Sequence, residues 1–180
     1  MYENNFTPIG GLPGDGIGPE ITEAALWVAS AAGARITPKP VPNPRQDHDG
    51  ALAALKETAV VLKGPLEGGL PKSWRGELEL FAALRQTFGP SGETLLLRDT
   101  AMGLYGGTST VTAEQVLHTI QLDRSHVERL VDLAFVWAAR LGRNRVTCVT
   151  KENLLPDLDG AFADTFADVA SGFPGLKSKR

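Results

Sequence analysis

Ile9-Gly-Gly-Leu-Pro-Gly-Asp-Gly-Ile-Gly-Pro-Glu20 is the stretch on which the reading of the fold turns. A short apolar run, Ile9–Leu12, ends in a Gly/Pro cluster of the kind that marks a tight loop. A helix is expected to begin there, with Pro19 in its first turn and Glu20 near the positive end of the helix dipole. Ile21, Ala24, Ala25, Val28 and Ala32 then recur at helical spacing, and Gly33 ends the run. Gly14-Asp-Gly-Ile-Gly18 lacks the Gly-x-Gly-x-x-Gly spacing of the dinucleotide fingerprint. It reads equally as a plain strand-to-helix turn and as a backbone that approaches a ligand.

Outward from this stretch the pattern repeats. Residues 1–8 read as a loose leader and Arg35-Ile-Thr37 as a short strand. Pro38 to Pro44 carries four prolines in seven residues and reads as a loop. Ala51–Thr58 reads as a helix and Ala59-Val-Val-Leu62 as a buried strand. Lys63 to Pro71 is a second Gly/Pro loop, and Ser73–Leu84 reads as a helix with Leu78, Phe81 and Ala82 on one face. A Gly89–Gly92 turn precedes a strand at Thr94–Leu97. Tyr105–Thr110 reads as a loop, and residues 111–122 as an extended arm or a short helix. Asp123 caps a strong helix to about Leu141, with Val127, Leu130, Val131, Ala134, Phe135 and Ala138 as its apolar stripe. Arg145–Thr150 is an expected strand and Gly160–Ala170 an expected helix. Strands alternating with helices imply an α/β fold, a mostly parallel sheet flanked by helices.

The 180 residues are enough for one domain with a real core or for two small lobes. With 42% apolar and 22% charged residues and a net charge of −3, the balance is that of a soluble globular protein. Neither nucleic acid nor a membrane is expected as a partner. The single cysteine, Cys148, excludes a disulfide framework and favours a cytoplasmic, reducing setting. Cys148 itself reads as a buried strand thiol. Met1-Tyr-Glu-Asn-Asn is unlike a secretion signal.

Three arginines stand near element ends: Arg75, Arg85 and Arg98. Guanidinium groups bind carboxylates through paired hydrogen bonds, so three converging ones suit a small di- or tricarboxylate. Taken singly, each reads more readily as a solvated surface residue. Tyr105 and Lys151 are candidate proton carriers, Lys151 just past a strand end, where open α/β sheets place ligands. Each again reads singly as a surface residue more often than a catalytic one. His48, His118 and His126 lack metal-ligand spacing, and His126 falls on the charged face of the long helix, where it reads as solvated. Asp164 and Asp168 share a helix face but are interleaved with Phe162 and Phe166. That pattern is an amphipathic helix more than a metal site.

These segments, in order, resemble one family. Leu12-Pro-Gly-Asp-Gly-Ile-Gly-Pro-Glu20 resembles the opening signature of the isocitrate/isopropylmalate dehydrogenases, and Lys63-Gly-Pro-Leu66 the family's loop after the next core strand. Arg75-Gly-Glu-Leu-Glu-Leu-Phe-Ala-Ala-Leu-Arg85 resembles its arginine-bearing helix and strand. Leu97-Arg-Asp-Thr-Ala-Met-Gly-Leu-Tyr105 resembles the segment with the third arginine and the catalytic tyrosine. Val127-Glu-Arg129 through Ala134-Phe135 resembles the next helix. Val149-Thr-Lys-Glu-Asn-Leu-Leu155 resembles the segment with the catalytic lysine.

The resemblance implies a partial isopropylmalate-dehydrogenase-like fold. Residues 1–97 would be the first lobe, the N-terminal part of the large domain. Residues 98–180 would be the second, part of the small, dimer-forming domain. It implies an NAD(P)-dependent, decarboxylating oxidation of a 2-hydroxy acid with a neighbouring carboxylate, isocitrate or homoisocitrate ahead of 3-isopropylmalate. Arg75, Arg85 and Arg98 would bind the carboxylates, Tyr105 would protonate the enol, and Lys151 would help deprotonate the hydroxyl. Lys63, Leu66, Glu67 and Asn153 would lie near the nicotinamide of NAD or NADP. Mg²⁺ or Mn²⁺ is implied too, with ligands expected from a C-terminal half that these residues do not include. The implied partner is a second copy or a complementary C-terminal chain, and the alternative is a truncated, non-catalytic remnant or regulatory subunit keeping the carboxylate pocket. The sequence departs from the family before Tyr105, where Asp99-Thr-Ala-Met102 replaces Glu-Asn-Thr-Glu or Glu-Leu-Thr-Gly. It departs again where Arg85-Gln86 replaces Arg-Pro.

Overall fold

The computed structural model describes residues 6–90 and 92–180, in two compact units, Met1–Glu79 and Leu80–Arg180. In the first unit three parallel strands, β1 (Thr7–Leu12), β2 (Ile36–Pro40) and β3 (Val60–Lys63), lie in the order β2-β1-β3. The helix α1 (Gly18–Ala31) connects β1 to β2, α2 (His48–Lys56) connects β2 to β3, and α3 (Lys72–Glu77) closes the unit. The core gathers Leu12, Val41, Ala51, Leu55 and Trp74. Thr7 and Pro8 lie in β1 rather than in a leader, while residues 1–5 fall outside the described residues.

The proline-rich segment departs from expectation, since β2 runs on to Pro40. Thr7 donates to the Arg35 carbonyl and Val41 to that of Gly11, so odd-numbered backbone groups of this segment face β1. Pro38 and Pro40 alternate with them and sit on an edge strand with their missing donors pointing away, where proline is tolerated. The strand expected to be buried at Ala59–Leu62 is instead partly exposed. In α1 only Gly18 and Thr22 are buried, and Ile21, Val28, Val60 and Val61 are exposed.

In the second unit β4 (Ala82–Gly89) and β5 (Gly92–Asp99) form an antiparallel hairpin. The expected helix over Ser73–Leu84 therefore stops at Glu77. Gly76 weakens it, Glu79 adopts a left-handed φ of 51°, and the chain from Ala82 pairs with β5. Pairing along the whole hairpin, Leu84 opposite Leu97, outweighs the local helical pattern. The units divide before this hairpin, not at residue 97, where a boundary would cut it. A second hairpin joins β6 (Thr108–Val111) to β7 (Val116–Thr119), so the segment after Tyr105 is extended. The long helix α4 (Arg124–Arg140) follows, then β8 (Arg145–Thr147), α5 (Leu158–Ala170) and β9 (Lys177–Lys179), with β8 and β9 parallel.

Asp123 caps α4, accepting from the Ser125 amide at 2.9 Å, and Gly142 leaves it with a φ of 64°. The Ser125 hydroxyl, foremost, holds the Asp123 carboxyl below its ordinary range. The apolar stripe of α4 buries Val127, Leu130, Val131, Phe135 and Ala138. Phe135 stacks on Phe173 at 5.0 Å and meets Phe166 at 5.5 Å between ring centroids. Cys148, expected buried in a strand, is half-buried just after β8, and burial pushes its thiol pKa up.

Candidate functional site

The first unit presents two loops at the C-terminal ends of its parallel strands, where open α/β sheets hold their ligands. They are knit tightly. Asp15 N–H donates to the Pro65 carbonyl at 2.7 Å. The Asp15 carboxylate accepts from the Glu67 amide at 2.9 Å and from the Asn43 side chain at 2.8 Å, and these bonds, the Glu67 amide first, lower its pKa. Gly14 has a φ of 79°, and a Cβ there would lie 1.8 Å from the Pro65 carbonyl oxygen, so only glycine lets the loops close. Lys63 donates to the Gly64 carbonyl at 2.7 Å, Glu67 pairs with Arg45 at 2.8 Å, and Leu66 packs against the core. Lys63, Leu66 and Glu67 share this loop, but their side chains take different partners, the Gly64 carbonyl, the core and Arg45. Arg75 lies in the last turn of α3 in this unit.

In the second unit the hairpin register decides what meets what. Ala83 faces Arg98 and Arg85 faces Leu96. Directly opposed residues share a face and alternate residues return to it, so Arg85 and Arg98 are diagonal neighbours on one exposed face. The opposite face carries Leu84, Leu95 and Leu97, which line a cleft of about 470 Å³ with α4, β8 and α5. The Arg98 guanidinium lies over the Tyr105 ring at 5.4 Å, a cation–π distance that fixes ring and guanidinium together. Three predicted site residues therefore cluster: Arg85, Arg98 and Tyr105.

Lys151 and Asn153 occupy the exposed loop between β8 and α5. The Lys151 amide donates to Asp159 at 2.5 Å, and its carbonyl accepts from the amides of Leu154 and Leu155, so the turn is fixed although the side chain is exposed. Asp164 pairs with Arg180 at 2.9 Å.

Two residues that sequence reasoning missed meet at the turn that leads to Tyr105. The Asp99 carboxylate accepts from the amides of Ala101 at 2.8 Å and Met102 at 2.9 Å, and its other oxygen meets His126 Nε2 at 3.0 Å. His126, expected to be solvated, has its side chain only 16% exposed. The aspartate's local turn is a recognisable Asx pattern, but nothing in sequence joins residues 27 positions apart. His48 likewise accepts the Trp74 indole N–H at 3.1 Å, which requires Nε2 unprotonated there.

The divalent ion can be tested against these residues. Hard cations need several oxygen ligands, and among the described residues no group of three or more His, Cys, Asp or Glu gathers to hold one. The residues present do not fit it.

Comparison with known proteins follows the same lines. A family model described as isocitrate/isopropylmalate dehydrogenase matches residues 90–180. Isocitrate dehydrogenase [NADP] of Rickettsia bellii is 29% identical over 200 residues, covering 97% of this chain and 41% of that protein. Isocitrate dehydrogenase [NAD] regulatory subunit 2, mitochondrial, of Arabidopsis thaliana is 29% identical, covering 94% of this chain and 51% of the relative. A Thermus thermophilus protein superimposes with a TM-score of 0.86 at 26% identity, over 99% of this chain and 42% of that one. Isocitrate dehydrogenase of Methylococcus capsulatus does so with a TM-score of 0.84 at 25% identity, over 97% and 60%. The chain spans about two fifths to three fifths of the length of these proteins.

Proposed function

Since the chain belongs to the isocitrate/isopropylmalate dehydrogenase family, we propose that it supplies the carboxylate-binding and proton-transfer side of an NAD(P)-dependent oxidative decarboxylation. The substrate is a 2-hydroxy acid with a carboxylate on the neighbouring carbon, isocitrate or homoisocitrate before 3-isopropylmalate. The observation that carries this reading is the shared face of Arg85 and Arg98 with the Tyr105 ring against Arg98. Two guanidinium forks side by side suit adjacent carboxylates. A phenol held beside them suits proton delivery to the enol carbon left when carbon dioxide departs. Arg75 adds the third carboxylate contact, and Lys151 takes part in removing the hydroxyl proton. The nicotinamide accepts the hydride, and Lys63, Leu66, Glu67 and Asn153 are assigned to its binding.

The ion's ligands, Mg²⁺ or Mn²⁺ being the expected metal, come from a complementary chain, or from a second copy. Support lies in the apolar residues left exposed in the first unit, Ile21, Val28, Val60 and Val61 among them. Among the described residues no helix is long and apolar enough to cross a membrane, and a cytoplasmic setting follows from the cysteine usage.

A second reading is a regulatory or binding subunit that keeps the carboxylate pocket without turnover. The name of the Arabidopsis relative favours it. Reduction of NAD and NADP by the 180-residue chain with Mn²⁺, against isocitrate, homoisocitrate and isopropylmalate, separates the two. Turnover abolished by Lys151→Ala establishes the enzyme. No turnover, with calorimetric binding of isocitrate that Arg98→Ala weakens about tenfold or more, establishes the binding subunit. No binding and no turnover in a folded chain defeats both.

A further inference from the structure

We propose that Asp99 and His126 form a positioning pair that sets Tyr105 and Arg98 from helix α4, a role resting on the reading of Tyr105 as the proton donor. A continuous line of hydrogen bonds runs between them. His126 Nε2 meets one Asp99 oxygen at 3.0 Å, and the other oxygen accepts the Met102 amide at 2.9 Å. The Met102 carbonyl accepts the Tyr105 amide at 3.2 Å. Asp99 directly follows Arg98, whose guanidinium lies over the Tyr105 ring. A carboxylate only accepts, so His126 carries its proton on Nε2 and donates.

The pair is anchored from three sides. The His126 ring stands edge-on to Phe81 at 5.9 Å, and the Arg129 guanidinium, one turn further along α4, lies over the Phe81 ring at 4.1 Å. Thr100 donates from its hydroxyl to the Leu80 carbonyl at 2.8 Å and from its amide to the Phe81 carbonyl. Charged groups near His126 include Asp99 across the contact, Asp123 on the cap of α4 and Arg129 over the Phe81 ring. With both side chains about four-fifths buried, the contact is shielded from competing water and stronger than an exposed ion pair. The hydrogen bond from His126 ends on Asp99, so His126 acts through the Asp99 turn.

The test replaces His126 with a residue of similar size lacking a donor, and with one that keeps a donor. The 180-residue chain is prepared with ¹³C-labelled tyrosine, and Tyr105→Phe assigns the Tyr105 ring signals by their loss. His126→Leu is expected to shift and broaden the Tyr105 ring signals, and His126→Gln, whose amide donates to Asp99, to return them most of the way. In whichever assembly turns over, His126→Leu lowers kcat about tenfold, the loss of one buried charge-assisted hydrogen bond, with KM changed less. Unshifted Tyr105 signals in folded His126→Leu overturn the proposal, as does a His126→Gln variant that behaves like His126→Leu. If His126→Leu does not fold, the Ala101 and Met102 amide shifts of the wild type are followed as His126 titrates. Shifts that do not follow the His126 ring overturn the proposal equally. None of the spectroscopic readouts needs catalysis, so failure of the dehydrogenase reading shows separately, as absent turnover with the Tyr105 shifts intact.

Discussion

The glycine loop of the first unit and the Arg98–Tyr105 turn of the second are both catalytic-looking segments at strand ends, yet different physics holds each in place. The first is fixed by backbone against backbone. Cβ atoms added at Gly14, Gly18 or Gly64 would come within 2.1 Å of carbonyl oxygens, and the motif's own residue types meet that demand. The second is fixed by side chains remote in sequence, an aspartate at a strand end and a histidine at a helix start. A site can therefore be conspicuous in sequence where sterics dictate glycine, and hidden where a tertiary pair does the same work.

The largest effect is expected at the aromatic core beneath the second turn, where Phe135 is fully buried. Phe135→Ala should cost about 3–5 kcal/mol in urea unfolding. A loss below 1 kcal/mol would mean that α4 is not the firm base from which His126 reaches Asp99.

Gly14→Ala comes next. It combines a left-handed φ of 79° with a carbonyl oxygen 1.8 Å from the new Cβ, and about 1–3 kcal/mol of strain alone is expected. Wild-type stability in Gly14→Ala would show that the two loops are not packed as described. Gly16→Ala is the control that sharpens the point. Gly16 has a φ of 59° but nothing within 4 Å of the added Cβ, so it should cost less than Gly14→Ala.

The smallest effect is electrostatic. Asp15 in the first unit is held below its ordinary pKa chiefly by the Glu67 amide, and Asp123 in the second chiefly by the Ser125 hydroxyl. Glu93 is lowered first by Arg143. A folded pKa below the unfolded one stabilises above the unfolded value and is lost as pH falls through the folded value. Stability should thus decline from about pH 4 downward, and Asp123→Asn and Asp15→Asn should each flatten the decline in urea midpoints measured against pH. A midpoint that does not change between pH 5 and pH 3 would contradict these bonds.

The α/β class, the turn at Gly14–Gly18, the cap at Asp123 and the family are all legible in short stretches of sequence. Each depends on residues within a turn or two of one another, where glycine sterics, capping oxygens and apolar periodicity leave little choice. The sequence also pointed to Arg85, Arg98 and Tyr105, but only as residue types in a familiar order. That they meet was decided by strand register, which places Ala83 opposite Arg98 and so puts Arg85 on the same face. Tertiary pairing likewise overruled the helical pattern of Glu77 to Leu84, since a β-hairpin partner outweighs local propensity. It carried β2 through two prolines, because an edge strand needs no donor on its outer side. The contact between Asp99 and His126 had no local signal at all. It exists because α4 brings its first turn against the end of β5, and that proximity is a property of the fold rather than of any short stretch of the chain.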